Sequence, residues 1–145
     1  MHIHIEPLEG EIKLLNNQDV SLHAPISYAK AKSELALGKN AVQTNPRNNQ
    51  VINEAVRKVK FEIAHATHIA SEVQRLKSTK NNKFESLVLE NENRLLDISK
   101  AMDGSDFRDK QFRVQSQLII ERLNSLSSKD AVASLEQQIA NLQKS

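Results

Sequence analysis

Between Ile52 and Val73 the apolar residues fall at Ile52, Val56, Val59, Ile63, Ala66, Ala70 and Val73, separated alternately by four and three positions. A side chain returns to the same side of an α-helix about every 3.6 residues, so this alternation draws one apolar line down a helix. Its strict seven-residue repeat is the pattern of a coiled-coil seam. Phe84, Val88, Asn91, Leu95, Ile98 and Met102 keep the same rhythm with one asparagine inside it, a kind of position that sets register and partner number. Val132, Leu135, Ile139 and Leu142 repeat it near the carboxyl end. Between 106 and 126 the apolar residues form two lines, Phe107, Val114 and Leu118 beside Phe112, Ile119, Leu123 and Leu126, as expected of a helix with neighbours on two sides.

Breaking residues set the ends of these segments. Pro25 or Ser27 opens a first helix, "QTNPRNN" closes it, "STKNN" and "DGS" interrupt twice more, and "SSKD" offers a start resembling a capping box. The pattern therefore predicts helices over about 26–43, 49–77, 82–102, 106–126 and 129–143. Asn45 precedes Pro46 and is biased towards extended backbone, which marks that stretch as the expected hinge. At the amino terminus "HIHIE" alternates with period two, placing Ile3 and Ile5 on one face of a strand and the histidines on the other, with Pro7 ending it. "EIKLL" after Gly10 is a second short candidate for pairing. Residues 1–25 are thus expected as an extended arm with a short strand or hairpin, able to add to the edge of a partner's sheet. Residues 26–145 follow as a mainly all-α, elongated antiparallel bundle of coiled-coil hairpins.

Composition narrows the alternatives. Three glycines, three prolines and 3% aromatic residues in 145 leave little material for the turns and cores of a sandwich, barrel or doubly wound sheet. The absence of cysteine removes disulfides, thiolate metal sites and cysteine nucleophiles. No run of eighteen apolar residues occurs, and the amino terminus lacks a basic stretch followed by an apolar one. No membrane insertion and no conventional signal peptide are expected. The expected location is the cytoplasm or a larger assembled particle.

Candidate chemistry is sparse. Glu62, His65, His68 and Glu72 are spaced three, three and four apart and share one helix face. Glu62 and His65 have the Glu-x-x-His spacing of carboxylate-bridged di-iron bundles, but those sites need a second such pair and two further glutamates, which are missing. The imidazoles are expected to flank the seam and pair with the glutamates, with a helical metal-binding protein using His65 and His68 as one alternative. Asp103, Asp106 and Asp109 are too widely spaced for a calcium loop and suit a helix start. There is no Gly-x-Ser-x-Gly elbow, phosphate loop or dinucleotide fingerprint, so neither catalysis nor a cofactor is expected.

Net charge is only +2, yet residues 48–80 carry six basic residues against three acidic. Arg57, Lys58, Lys60, Arg75 and Lys77 are the candidate phosphate contacts of a nucleic-acid-associated accessory protein, a second alternative. No aromatic residues interleave with them and no DNA-binding motif spacing is present. The expected function is therefore protein–protein interaction, as a scaffold, adaptor or inhibitor that holds another protein or further copies of the chain. Its expected interface comprises Ile3, Ile5, Ile52, Val56, Val59, Ile63, Val73 and Asn91. A heptad seam closes equally well within one chain or between chains.

Overall fold

The computed structural model describes residues 5–144. All regular structure in them is helical, with no strand, so the fold is all-α as the periodicity predicts. The chain divides after Thr79 into two compact units.

The first unit holds α1 (Glu6–Asn17), the single turn α2 (Val20–His23), α3 (Pro25–Thr44) and α4 (Asn49–Ser78). α3 and α4 form an antiparallel hairpin across a short turn. At that turn the backbone N–H and side-chain amide of Asn45 both donate to the Ala41 carbonyl, and Asn48 caps α4 by accepting from the Val51 N–H at 3.2 Å. The expected hinge is therefore a capped turn inside one unit, and the boundary between units lies at Thr79.

The inner face of the hairpin carries small residues. Ala31, Gly38 and Val42 of α3 meet Ile52, Ala55 and Val59 of α4, and α1 covers them with Ile5, Leu8 and Ile12. A second cluster joins Leu15, Val20 and Ala24 to Ala66 and Ala70. At Gly38 a Cβ would stand 2.9 Å from the Cδ1 of Ile5, so the absent side chain is the space that Ile5 fills.

This arrangement corrects the expected arm. Ile3 lies outside the described residues. Ile5, expected on a strand facing a partner, is 1% exposed inside the core of its own unit. Pro7, expected to end a strand, sits in the first turn of α1, where its missing N–H breaks no helical bond. The longer pattern explains the outcome: Ile5, Leu8, Ile12 and Leu15 are spaced three, four and three, a helical stripe that outweighs a five-residue alternation.

The second unit holds a 3₁₀ turn (Asn81–Lys83), α5 (Phe84–Asp103) and α6 (Phe112–Lys144). α5 ends at Gly104, whose left-handed φ of 81° lets its N–H reach the carbonyls of Ser99 and Lys100. Asp106 then accepts from the backbone N–H and guanidinium of Arg108. The side-chain bond, and next the backbone one, hold its carboxyl well down, at about 2. Asp103 accepts from Ser105 and from Arg122 of α6, and both bonds lower its pKa, Ser105 the more. The two helices meet through Leu96, Ser99, Gln115 and Ile119. Gln115 donates to Glu92 at 3.2 Å while Arg122 reaches Asp103, so the bonded pairs advance in the same sense along both helices.

Two expected helices, 106–126 and 129–143, are one uninterrupted α6 of 33 residues beginning at Phe112. Asp103 and Asp106 organise the loop before it instead of starting a helix. Ser127, Ser128, Lys129 and Asp130 each lose only a few tenths of a kcal/mol in a helix interior, too little without glycine or proline to stop it.

Candidate interaction surfaces

The buried line on α4 runs through Ile52, Ala55, Val59, Glu62, Ala66 and Ala70. It is rotated from the expected seam, so that Val56, Ile63 and Val73 flank it, half-buried. Ile52 and Val59 are buried within the first unit, with Val56 and Ile63 packed against the same cluster and partly exposed.

The rotation brings Glu62 inside. Its side chain is only 11% exposed, with Oε1 3.6 Å from Lys30 Nζ and Oε2 3.8 Å from His65 Nδ1. Oε2 is buried without a hydrogen-bond partner. His65 stacks on Phe61, its ring centroid 6.5 Å away, while Glu72 is drawn to Arg75 at 3.3 Å. The four residues weighed as metal ligands therefore do not converge, and no group of three or more His, Asp or Glu able to hold a metal occurs among the described residues. A buried carboxylate with an unmatched oxygen carries a desolvation penalty that its distant partners offset poorly. Glu62→Leu is accordingly expected to stabilise the chain by about 1–2 kcal/mol, raising the urea midpoint at unchanged slope. A lowered midpoint would show that the Lys30 and His65 contacts outweigh the penalty.

The basic residues are spread around α4. Arg57 is held by Glu54 through two bonds of 2.9 and 2.6 Å, Arg75 pairs with Glu72, and the Lys77 Nζ lies 3.1 Å from His23 Nδ1. At about 100° per residue Lys58 and Lys60 point to sides different from Arg57. The five do not form one surface. A groove of about 620 Å³ between α3 and α4 is floored by Leu37, Ala41 and Val51, with Glu34 and Lys58 on its rim.

The second unit presents a different surface. Beyond Leu126 every described residue of α6 is exposed, including Val132, Leu135, Ile139 and Leu142 at 53–74%. On α5 the predicted line is also largely open: Phe84, Val88 and Ile98 are 46–54% exposed, Leu95 and Met102 are half-buried, and Asn91 is exposed. The Asn91 Oδ1 accepts from Arg94 at 2.9 Å. α6 packs against a neighbouring face of α5, through Glu92, Leu96 and Ser99.

The chain matches no protein-family model, no curated protein and no solved structure.

Two apolar heptad lines of the second unit are thus largely exposed, whereas the line on α4 is covered by α1 and α3. The repeat is the same in all three. The signal that distinguishes them is the helical stripe of α1, which supplies the hairpin with its cover. No helix among the described residues is long and apolar enough to cross a membrane.

Proposed function

We propose that this chain is a non-enzymatic assembly component, whose first unit is a self-contained helical bundle and whose second unit docks other helices. The observation that carries the reading is α6 from about residue 127 onward. A helix that is exposed from about residue 127 onward and carries an apolar line of Val132, Leu135 and Ile139, each more than half exposed, draws little stability from propensity alone. Contiguous exposed apolar surface of this kind marks an interaction site. The apolar line supplies affinity, and Lys129, Glu136 and Gln138 beside it influence which helix is accepted. The occupant is another protein or a further copy, within the cytoplasm or a larger particle.

Hydrogen exchange over residues 127–144, read with the solution mass at each concentration, tests this. Fast exchange at the mass of one chain, or protection that rises as the mass rises, is the expected result. Protection that is strong and independent of concentration in a single 16.3 kDa chain would overturn the reading, because the line would then close internally.

A further inference from the structure

We infer that the line on α5 is a parallel, in-register pairing surface for a second copy of this chain, with Asn91 facing Asn91 of that copy at its centre. The inference rests on the docking role proposed for the second unit but uses a different helix. Phe84, Val88, Asn91, Leu95, Ile98 and Met102 lie within a stripe about 80° wide that runs the length of α5. α6 packs about a quarter turn away, on Glu92, Leu96, Ser99 and Asp103, and leaves the stripe open. A line that repeats itself every seven residues is complementary to its own copy.

Charge and polarity select the direction. In the antiparallel register that uses all six positions, Val88 meets Ile98, Phe84 meets Met102, and each Asn91 lies against an apolar Leu95. That register also sets Glu92 opposite Glu92 and Arg94 opposite Arg94 across the two-fold axis, and like charges so placed are destabilising. Running parallel and in register, Leu87 and Arg94 of one copy flank the side of the other on which Glu92 and Ser99 already lie against α6, and no like charges are opposed. The two Asn91 amides then satisfy each other, each giving an N–H and accepting one. A buried asparagine pair disfavours registers that set either amide against an apolar side chain, at some loss of stability. Asn91 must release Arg94 to do this, and Arg94 retains Glu90 at 3.2 Å.

Because the chain has no cysteine, single-cysteine variants report the pairing directly. Val88→Cys and Ile98→Cys, each in the full chain and oxidised separately, are expected to give a disulfide-linked species of twice the chain mass. Cross-linking only when the two variants are mixed would mean an antiparallel pair and overturn the inference. No cross-linking in any combination, with the wild-type chain at one-copy mass throughout, would overturn it as well. Asn91→Ile provides a second reading that does not depend on oxidation: tighter association by tenfold or more, with species larger than two chains appearing. An unchanged mass and dilution profile for Asn91→Ile would count against the pairing. If cross-links fail while residues 127–144 behave as expected above, only the α5 pairing falls and the docking role of α6 stands.

Discussion

Ile5→Ala is expected to destabilise the first unit by about 3 kcal/mol, within the range for truncating a buried isoleucine. Ile5 is 1% exposed, and its Cδ1 occupies the notch left by Gly38 beside Val59 and Ala55. Truncation opens a void that α1 cannot close without lifting from the hairpin. Urea unfolding of the full chain, followed by helical circular dichroism, should show the first unit's midpoint fall at a nearly unchanged slope. A loss below about 1 kcal/mol would mean that the start of α1 does not dock as described. The partner substitution sharpens the test, because Gly38→Ala should change sign with background. Alone, its Cβ would stand 2.9 Å from Ile5 and force a shift in a buried side chain. In the Ile5→Ala chain the same methyl fills the void and brings the helix preference of alanine over glycine, about 1 kcal/mol. Additive effects at 5 and 38 would contradict the contact.

The second large effect separates the two units. A fragment ending at Thr79 is expected to keep its helices and unfold cooperatively, because it retains both buried clusters intact. A fragment beginning at Lys80 is expected to lose most of its helical signal on dilution and to show no sharp urea transition. Its buried residues are Leu96, Ser99, Gln115 and Ile119, too few to offset the ordering entropy of two long helices. Concentration-dependent helicity in that fragment is expected under the docking role proposed for the second unit. A concentration-independent, cooperatively folded fragment would show that α5 and α6 suffice for each other.

The sequence made α3 and α4 legible almost to the residue, because long periodic stretches bounded by proline and asparagine have few competing readings. The amino terminus was harder. "HIHIE" satisfies a strand period over five residues, but Ile5 is also the first member of a helical stripe that continues through Leu8, Ile12 and Leu15. Burial against Gly38, which decides between them, depends on a residue 33 positions away. The placement of Glu62 was hidden for a similar reason. Its neighbours Ile63 and Ala66 define the apolar line equally well, and the approach of Lys30 from α3 that accompanies its burial is not recorded in the spacing. Asn91 was legible as part of a heptad line. That α6 would pack on the adjacent face and leave the line open followed from Gln115 and Arg122 bonding to Glu92 and Asp103, which no periodicity records.

The continuity of α6 turns it into a spacer as well as a surface. Ile119 is fixed against α5, and Val132 and Leu142 stand about 20 and 35 Å further along the same rigid axis. Distance and facing are thereby coupled through one helix. Adding seven residues between Ile119 and Val132 would carry the apolar line about 10 Å outward while keeping nearly the same side, whereas adding one would turn it by about 100° with almost no change in reach. The reach and facing of the apolar line are thus set by the number of residues between Ile119 and Val132, and their identity is secondary so long as they stay helical.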